Sequence, residues 1–335
     1  MHNARIWGHW VMAISIGLAA WSLANVVHAA PQPRWSLTVI EPILPSGGDT
    51  ALAVNNRGQV VGSTTVADPV QGTAVHAFLW DNGTMIDMGR APTGYPLSSA
   101  RAINDRGTVL AGDGLGRGFT WEDGVWTPLP FVGQPSVLNK FGAIGGAYNT
   151  GFGAHGFIYR DGVFTDVGTL GGPYSEVAAI NDRGAAVGKS LTSSFQYHPY
   201  VYEDGMIKDL GSFGGSFGTA SGINNHGVVV GTSLDSANMQ QAFIYDGAGI
   251  RRLLPDLPES TAVGINDHGA VIGWIHAAGT SFVYDNGVLT MLDQIPEVRA
   301  AGLLWLVPTS INERGWVTGY AQRKSQTVSF VLMPK

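Results

Sequence analysis

Apolar residues recur at every second position in short runs along most of the chain, and the runs resemble one another. HAFLW (76–80), GFTW (118–121), HGFIY (155–159), HPYVY (198–202), QAFIY (241–245), SFVY (281–284) and SFVL (329–332) share one pattern. The first large apolar residue is Phe78, Phe119, Phe157, Tyr200, Phe243, Phe282 or Phe330. Two positions later stands Trp80, Trp121, Tyr159, Tyr202, Tyr245, Tyr284 or Leu332. A spacing of two places both side chains on one face of a β-strand. That face is expected to be buried.

Before each such run lies an Asn-x-x-Gly turn, as in AVNNRGQVVGS (53–63), AINDRGAAVGKS (179–190) and SINERGWVTGY (310–320). The Asn recurs at Asn55, Asn104, Asn139, Asn181, Asn224, Asn266 and Asn312, at spacings of 49, 35, 42, 43, 42 and 46. Self-similarity at about 43 residues marks a repeat architecture. Asn favours the first position of a type I turn, and Gly supplies the left-handed residue that closes a bulged hairpin. Two residues after the Gly the chain is always apolar: Val60, Val109, Ile144, Ala186, Val229, Val271 and Val317. After the aromatic run a second turn follows, DNG, EDG, RDG, EDG, DGAG or DNG, leading into a further strand such as GVFTDVG (162–168). Asp-Gly and Asn-Gly between apolar runs are hairpin signals.

Each repeat therefore predicts four antiparallel strands, one blade of a propeller. The seventh repeat ends at Lys335 without its fourth strand, whereas LTVIE (37–41) near the other end matches LTMLD (289–293). The expected fold is an all-β, seven-bladed β-propeller whose last blade is completed by an N-terminal strand, which would remove exposed sheet edges.

Composition sharpens this picture. Charged residues make up only 13% of the chain, there are 47 Gly, and 44% of residues are hydrophobic. Long surface helices need charged outer faces, so short strands and tight turns suit this composition better. The first residues carry Arg5, then the apolar run WVMAISIGLAAWSLANVV (10–27), then HAAPQP. This order reads as a signal peptide over 1–29, with cleavage after Ala29 or Ala30, followed by a single propeller domain over 30–335. Export to the periplasm or beyond the cell is expected, as is a body with no membrane span. Cys is absent, so no disulfide or Cys-based zinc site is available. The net charge of −6 argues against a nucleic-acid partner, which would need clustered Lys and Arg.

HAFLW, DVGTLGG (166–172), DLGSFGG (209–215) and AINDRGAAVGKS together resemble the HAF-type extracellular repeat family, over essentially the whole chain after the leader. GFTWEDG lacks the His, as do the last three repeats. The resemblance implies secretion and repeats and carries no activity with it.

Candidate chemistry is sparse. His76, His155 and His198 hold one equivalent position, and Asp87, Asp166 and Asp209 share another. Residues repeated around a scaffold are read as structural. Asp105, Asp182 and Asp267 in the first turn, and Asp123, Asp161, Asp204 and Asp285 in the second, are read the same way. GGSFG (214–218), GFGAHG (151–156) and GAAVGKS (184–190) match nucleophile-elbow, dinucleotide and phosphate-loop strings by letter, but each lies in the strand-and-turn pattern with no helix to follow. No catalytic residue, metal ligand or cofactor is assigned, and a monomer is expected.

Variable segments connect the second strand to the third and one repeat to the next: 64–75, 190–197, 233–240, 321–327 and, longest, 293–308. Loops on a rigid scaffold carry function. Tyr174, Phe217, Trp274, Arg299 and Trp305 are the candidate binding residues on that loop face. The expected role is an exported, non-catalytic binding or scaffold protein for an extracellular ligand, a glycan or a protein. A secreted enzyme acting on an extracellular glycan or other polymer is the alternative.

Overall fold

The repeated turn determines the local structure. In six copies the Asn side-chain oxygen accepts the backbone N–H groups two and four residues on, as Asn55 does from Arg57 and Gln59, both at 3.0 Å, and Asn266 accepts from Ala270, four residues on. Asn181 and Asn312 do the same. The Gly that ends the turn is left-handed, with φ of 86° at Gly58 and 90° at Gly184. The second hairpins are built differently. Asn82, Asp123, Asp161, Asp204 and Asn286 have φ between 47° and 53°, each followed by a left-handed Gly. Two consecutive positive φ values make the primed turn whose twist matches that of the flanking strands.

The computed structural model describes residues 34–257 and 259–335. The segment read as a signal peptide, 1–29, lies outside them. Among the described residues the chain is all-β between these turns, with twenty-eight strands, a 3-10 turn at Leu292–Gln294 and a five-residue helix at Pro296–Ala300. Strands pair antiparallel in chain order, in sets of four. One set is Asp49–Val54, Val60–Asp68, Gly72–Asp81 and Thr84–Asp87. The sets between Ser99 and Pro128 and between Ser260 and Met291 repeat it. From Gln134 to Arg252, three sets are joined into a twelve-stranded sheet by single parallel bridges, Ala154 to Tyr174 and Tyr197 to Phe217. The last set contains Leu304–Ile311, Val317–Arg323 and Gln326–Pro334. Its fourth strand is Trp35–Ile40, from the other end of the chain, with Leu37 opposite Leu332.

The apolar positions are buried as their period requires. Phe78, Phe157, Tyr200, Phe243, Phe282 and Phe330 are completely enclosed, and Val60, Val109, Ala186, Val229 and Val317 are as well. Each large ring faces the second Gly of the motif across the sheet: Gly62 opposite Phe78, Gly188 opposite Tyr200, Gly231 opposite Phe243. A Cβ at Gly231 would lie 2.1 Å from the carbonyl oxygen of Thr219 and 2.8 Å from the Phe243 ring. The inner strand bulges against this Gly, which accounts for its recurrence.

Neighbouring sets are stitched at a second position. Ser98, six residues before Asn104, accepts the N–H of Ala77 and donates to the carbonyl of Gly89. Ser175 bonds Gly156 and Gly168 in the same way, and Ser260 accepts from Ala242. In the first repeat the equivalent residue is Asp49, whose Oδ1 accepts from Ser329 at 3.1 Å. Asp49 is only 2% exposed, and its other oxygen has no partner among the described residues.

The segments read as variable loops are shorter than the sequence pattern suggests. Strands run through most of 64–75, leaving 69–71 as the connection, because Asp68 caps the turn by accepting from Val70 and Gln71. Likewise 190–197 closes at Phe195 and 233–240 at Asn238, both left-handed. The 293–308 segment is not an open loop either. It folds over Val298 and Leu306, which enter the core between the sixth and last sets.

Candidate functional site

Most polar residues that tempt a chemical reading are structural. Nδ1 of His76, His155 and His198 lies 2.9, 2.9 and 2.8 Å from a carboxylate oxygen of Asp87, Asp166 and Asp209. Each Asp also accepts the N–H of the Gly two residues on, so the pair staples the third strand to the turn after the fourth. Burial works to raise the pKa of Asp166. Hydrogen bonds from His155, the Gly168 N–H and Tyr148 outweigh it and hold the carboxyl below its usual range. Acids in the first turn bond backward: Asp105 accepts from the N–H of Asn56, Asp182 from Lys140, Asp267 from Asn225 and Glu313 from Asp267. The Asn residues point forward. The side-chain amide of Asn139 donates to the carbonyl of Asn181, Asn181 to Asn224, Asn224 to Asn266 and Asn266 to Asn312, at 3.0 to 3.2 Å. Asn55 donates to Asn104 at 3.0 Å.

One polar cluster does not repeat. Alignment on the Asn places Thr50, Ser99, Gln134, Glu176, Thr219, Thr261 and Val307 in one slot. Ser63, Gly112, Ala147, Lys189, Thr232, Trp274 and Tyr320 share its cross-strand slot. In the fourth repeat alone the two hold an acid and a base. Glu176 and Lys189 are direct cross-strand partners, and Nζ lies 3.0 Å from Oε1. The other carboxylate oxygen accepts the hydroxyl of Tyr174. Burial first, then the hydrogen bond and charge of Glu176, raise the pKa of that phenol.

Three aromatic rings enclose the ammonium group. Lys189 Nζ sits 5.8 Å from the centre of the Tyr174 ring, 5.6 Å from Tyr197 and 5.7 Å from Phe217, within cation–π range. Tyr197 meets Tyr174 and Phe217 edge-on, at 5.6 and 5.8 Å. These residues belong to the strands Gly171–Ile180, Ala186–Thr192, Tyr197–Glu203 and Gly214–Ile223, at the ends opposite the Asn hairpins. Lys189 and Glu176 remain partly open to solvent.

Of the candidate residues read from sequence, Tyr174 and Phe217 come together here, across the junction of two sets. Trp305 holds the same slot, seven residues before Asn312, but in its own set it stands 72% exposed with φ 55°. Trp274 occupies the slot of Lys189, its ring 6.4 Å from that of His276. Arg299 lies in the short helix and donates to the carbonyl of Asp293 at 3.0 Å. Glu176, Lys189 and Tyr197 escape a motif search. The signal that would find them is a charged pair in slots that are uncharged in every other repeat.

Glycoside hydrolysis uses two carboxyl groups; the cluster contains one. Among the described residues, no group of three His, Asp or Glu could hold a metal ion, and no helix is long and apolar enough to cross a membrane.

No model of a known protein family matches the chain, and no curated protein matches it in sequence. Its fold is similar to that of virginiamycin B lyase from Staphylococcus aureus, with a TM-score of 0.56 and 14% identity, covering 90% of this chain and 100% of that one. It is also similar to the β-propeller domain of the Trilobed protease from Pyrococcus furiosus, with a TM-score of 0.52 and 12% identity over 85% of this chain and 93% of that one. At such identities the likeness establishes the fold, a β-propeller, and nothing of the activity.

Proposed function

We propose that the protein is an exported, non-catalytic binding propeller of the HAF repeat type, acting as a monomer on an extracellular glycan. In this reading its seven four-stranded blades close into a ring. Three contacts between the first and last repeats support closure. Asn312 donates to the carbonyl of Asn55, Thr309 to that of Ala51, and the Ser329 N–H to Asp49. Ligand contact falls on the face opposite the Asn hairpins, with Tyr174, Phe217 and Tyr197 as apolar floor and Trp274, Arg299 and Trp305 as outlying contacts.

The observation that carries this reading is the non-repeated aromatic cluster around Lys189 and Glu176. A scaffold alone needs no such departure from its own repeat, and variable positions on a rigid frame are where recognition resides. Sugar rings present C–H faces that stack on aromatic rings, together with hydroxyls that a carboxylate, an ammonium and a phenol can bond.

The test is a glycan-array and polysaccharide-binding screen of the protein, paired with product analysis of any bound polymer. Binding without cleavage, weakened by Tyr197→Ala, is the expected result. An unbroken series of negatives removes the proposal. A second reading, a polymer-cleaving enzyme, is favoured by the Tyr174–Glu176–Lys189 set, which can move protons. Release of product that Glu176→Gln abolishes would establish it in place of the first.

A further inference from the structure

Two junctions place aromatic residues at equivalent positions, one repeat step apart, the second with Tyr197 where the first has Ala154. Phe152 stands at the tip of the hairpin between Ile144–Asn149 and Ala154–Arg160, 96% exposed. Phe195 stands at the equivalent tip of the next set, 74% exposed and left-handed. Two residues after each tip the chain bridges to the next inner strand, Ala154 to Tyr174 and Tyr197 to Phe217. Phe152 and Phe195, Ala154 and Tyr197, and Tyr174 and Phe217 are all separated by 43 residues. Gly153, beside the first tip, lies so close to Pro173 that a Cβ there would meet its carbonyl oxygen at 1.9 Å. Each tip therefore sits at the edge of the inner strand that carries the next aromatic residue.

Packing does not account for the tips, whose rings stand largely in solvent, and at Phe195 the backbone opposes the residue as well. A left-handed backbone is strained for a bulky side chain, and the exposed ring of Phe195 gains little packing to offset it. Between the two stations, Lys189 and Glu176 neutralise each other at 3.0 Å. The surface thus offers two aromatic stations at corresponding places in successive repeats, Phe152 with Tyr174 and Phe195 with Tyr197 and Phe217, and a mutually neutralised ion pair between them.

We propose that the two stations bind successive stretches of one uncharged polymer built from equatorially β-linked pyranose units. This rests on the reading of this face as a glycan-binding surface. A ligand that repeats along its length fits a surface that repeats at a fixed step. Such pyranoses carry flat C–H faces suited to aromatic rings. Once the first stretch is held, the second binds at high effective concentration, so affinity grows with chain length without any new kind of contact.

Calorimetric titration of the full chain with cello- and chito-oligosaccharides, from monosaccharide to hexasaccharide, tests this. The monosaccharide should bind too weakly to detect, and Kd should fall at least ~10-fold from disaccharide to hexasaccharide in one of the two series. Phe152→Ala and Phe195→Ala should each remove most of that gain at unchanged melting temperature, while Phe152→Tyr keeps it. Equal affinity for short and long chains overturns the two-station inference, as does hexasaccharide binding indifferent to both tips; either result leaves the glycan-binding reading standing. Failure of every oligosaccharide and polysaccharide to bind the unaltered protein overturns both.

Discussion

The side-chain amide of Asn312 donates a hydrogen bond to the carbonyl of Asn55, 2.8 Å away across 257 residues of chain. It is one of six such bonds from the Asn of one repeat to that of another, and the step from Asn104 to Asn139 is not among them. The same side chain also accepts the N–H groups of Arg314 and Trp316. Asn312→Ala would leave one buried and two partly buried backbone groups without their partner and should cost about 2–4 kcal/mol in urea unfolding. Asn104→Ala deletes only the local bonds and should cost about 1 kcal/mol less. Equal costs would mean that the forward bond contributes nothing.

Phe243 lies fully buried against Val229 and Tyr245 in one core cluster. Truncation to Ala should destabilise the protein by roughly 3–5 kcal/mol through loss of apolar contact and a residual cavity. An unchanged melting temperature would refute the importance of that burial.

Asp49 sets a pH dependence. Burial pushes its pKa up to about 7, more than the hydrogen bond from the Ser329 N–H lowers it, and nearby Glu41 adds to the rise. Arg323 is the neighbouring cation, itself paired with Glu41. A carboxyl raised in the folded state lends stability in its protonated form. That stability is present below the unfolded value near 4 and lost as pH rises through about 7. Asp49→Ser, which restores the residue found at Ser98, Ser175 and Ser260, should therefore stabilise increasingly with pH. The gain should reach the order of 2–4 kcal/mol near pH 8. A mutant-to-parent difference that stays flat across that range would contradict the assignment.

Asp166 has the opposite sign. Its carboxyl is lowered in the folded state, so its contribution is present above the unfolded value and lost as pH falls through the folded one. His155→Ala should move the Asp166 titration upward, read by NMR of the carboxyl, and the acid limb of the melting curve should shift to higher pH with it. A titration that does not move would show that the His–Asp pair is not what lowers it.

The strands, their order, the two hairpin types and the enclosed residue of each third strand were legible in the sequence. They rest on local rules: a period of two, Asn and Gly at turn positions, and repetition that confirms each reading several times. Loop lengths were overestimated because the capped turns at Asp68, Phe195 and Asn238 let polar stretches continue as strand. Other relations depend on where one repeat lies against the next. These include the forward bond of each Asn and the seam that Asp49 shares with Ser329. The enclosure of Lys189 by Tyr174, Tyr197 and Phe217 is of the same kind. Sequence alone determined what each repeat is, because a hairpin is specified by residues a few positions apart. Only the tertiary structure decided what one repeat does to its neighbour, because the Asn-to-Asn hydrogen bonds join atoms some forty or more residues apart and the ring contacts join side chains of different strands, where no local period reaches.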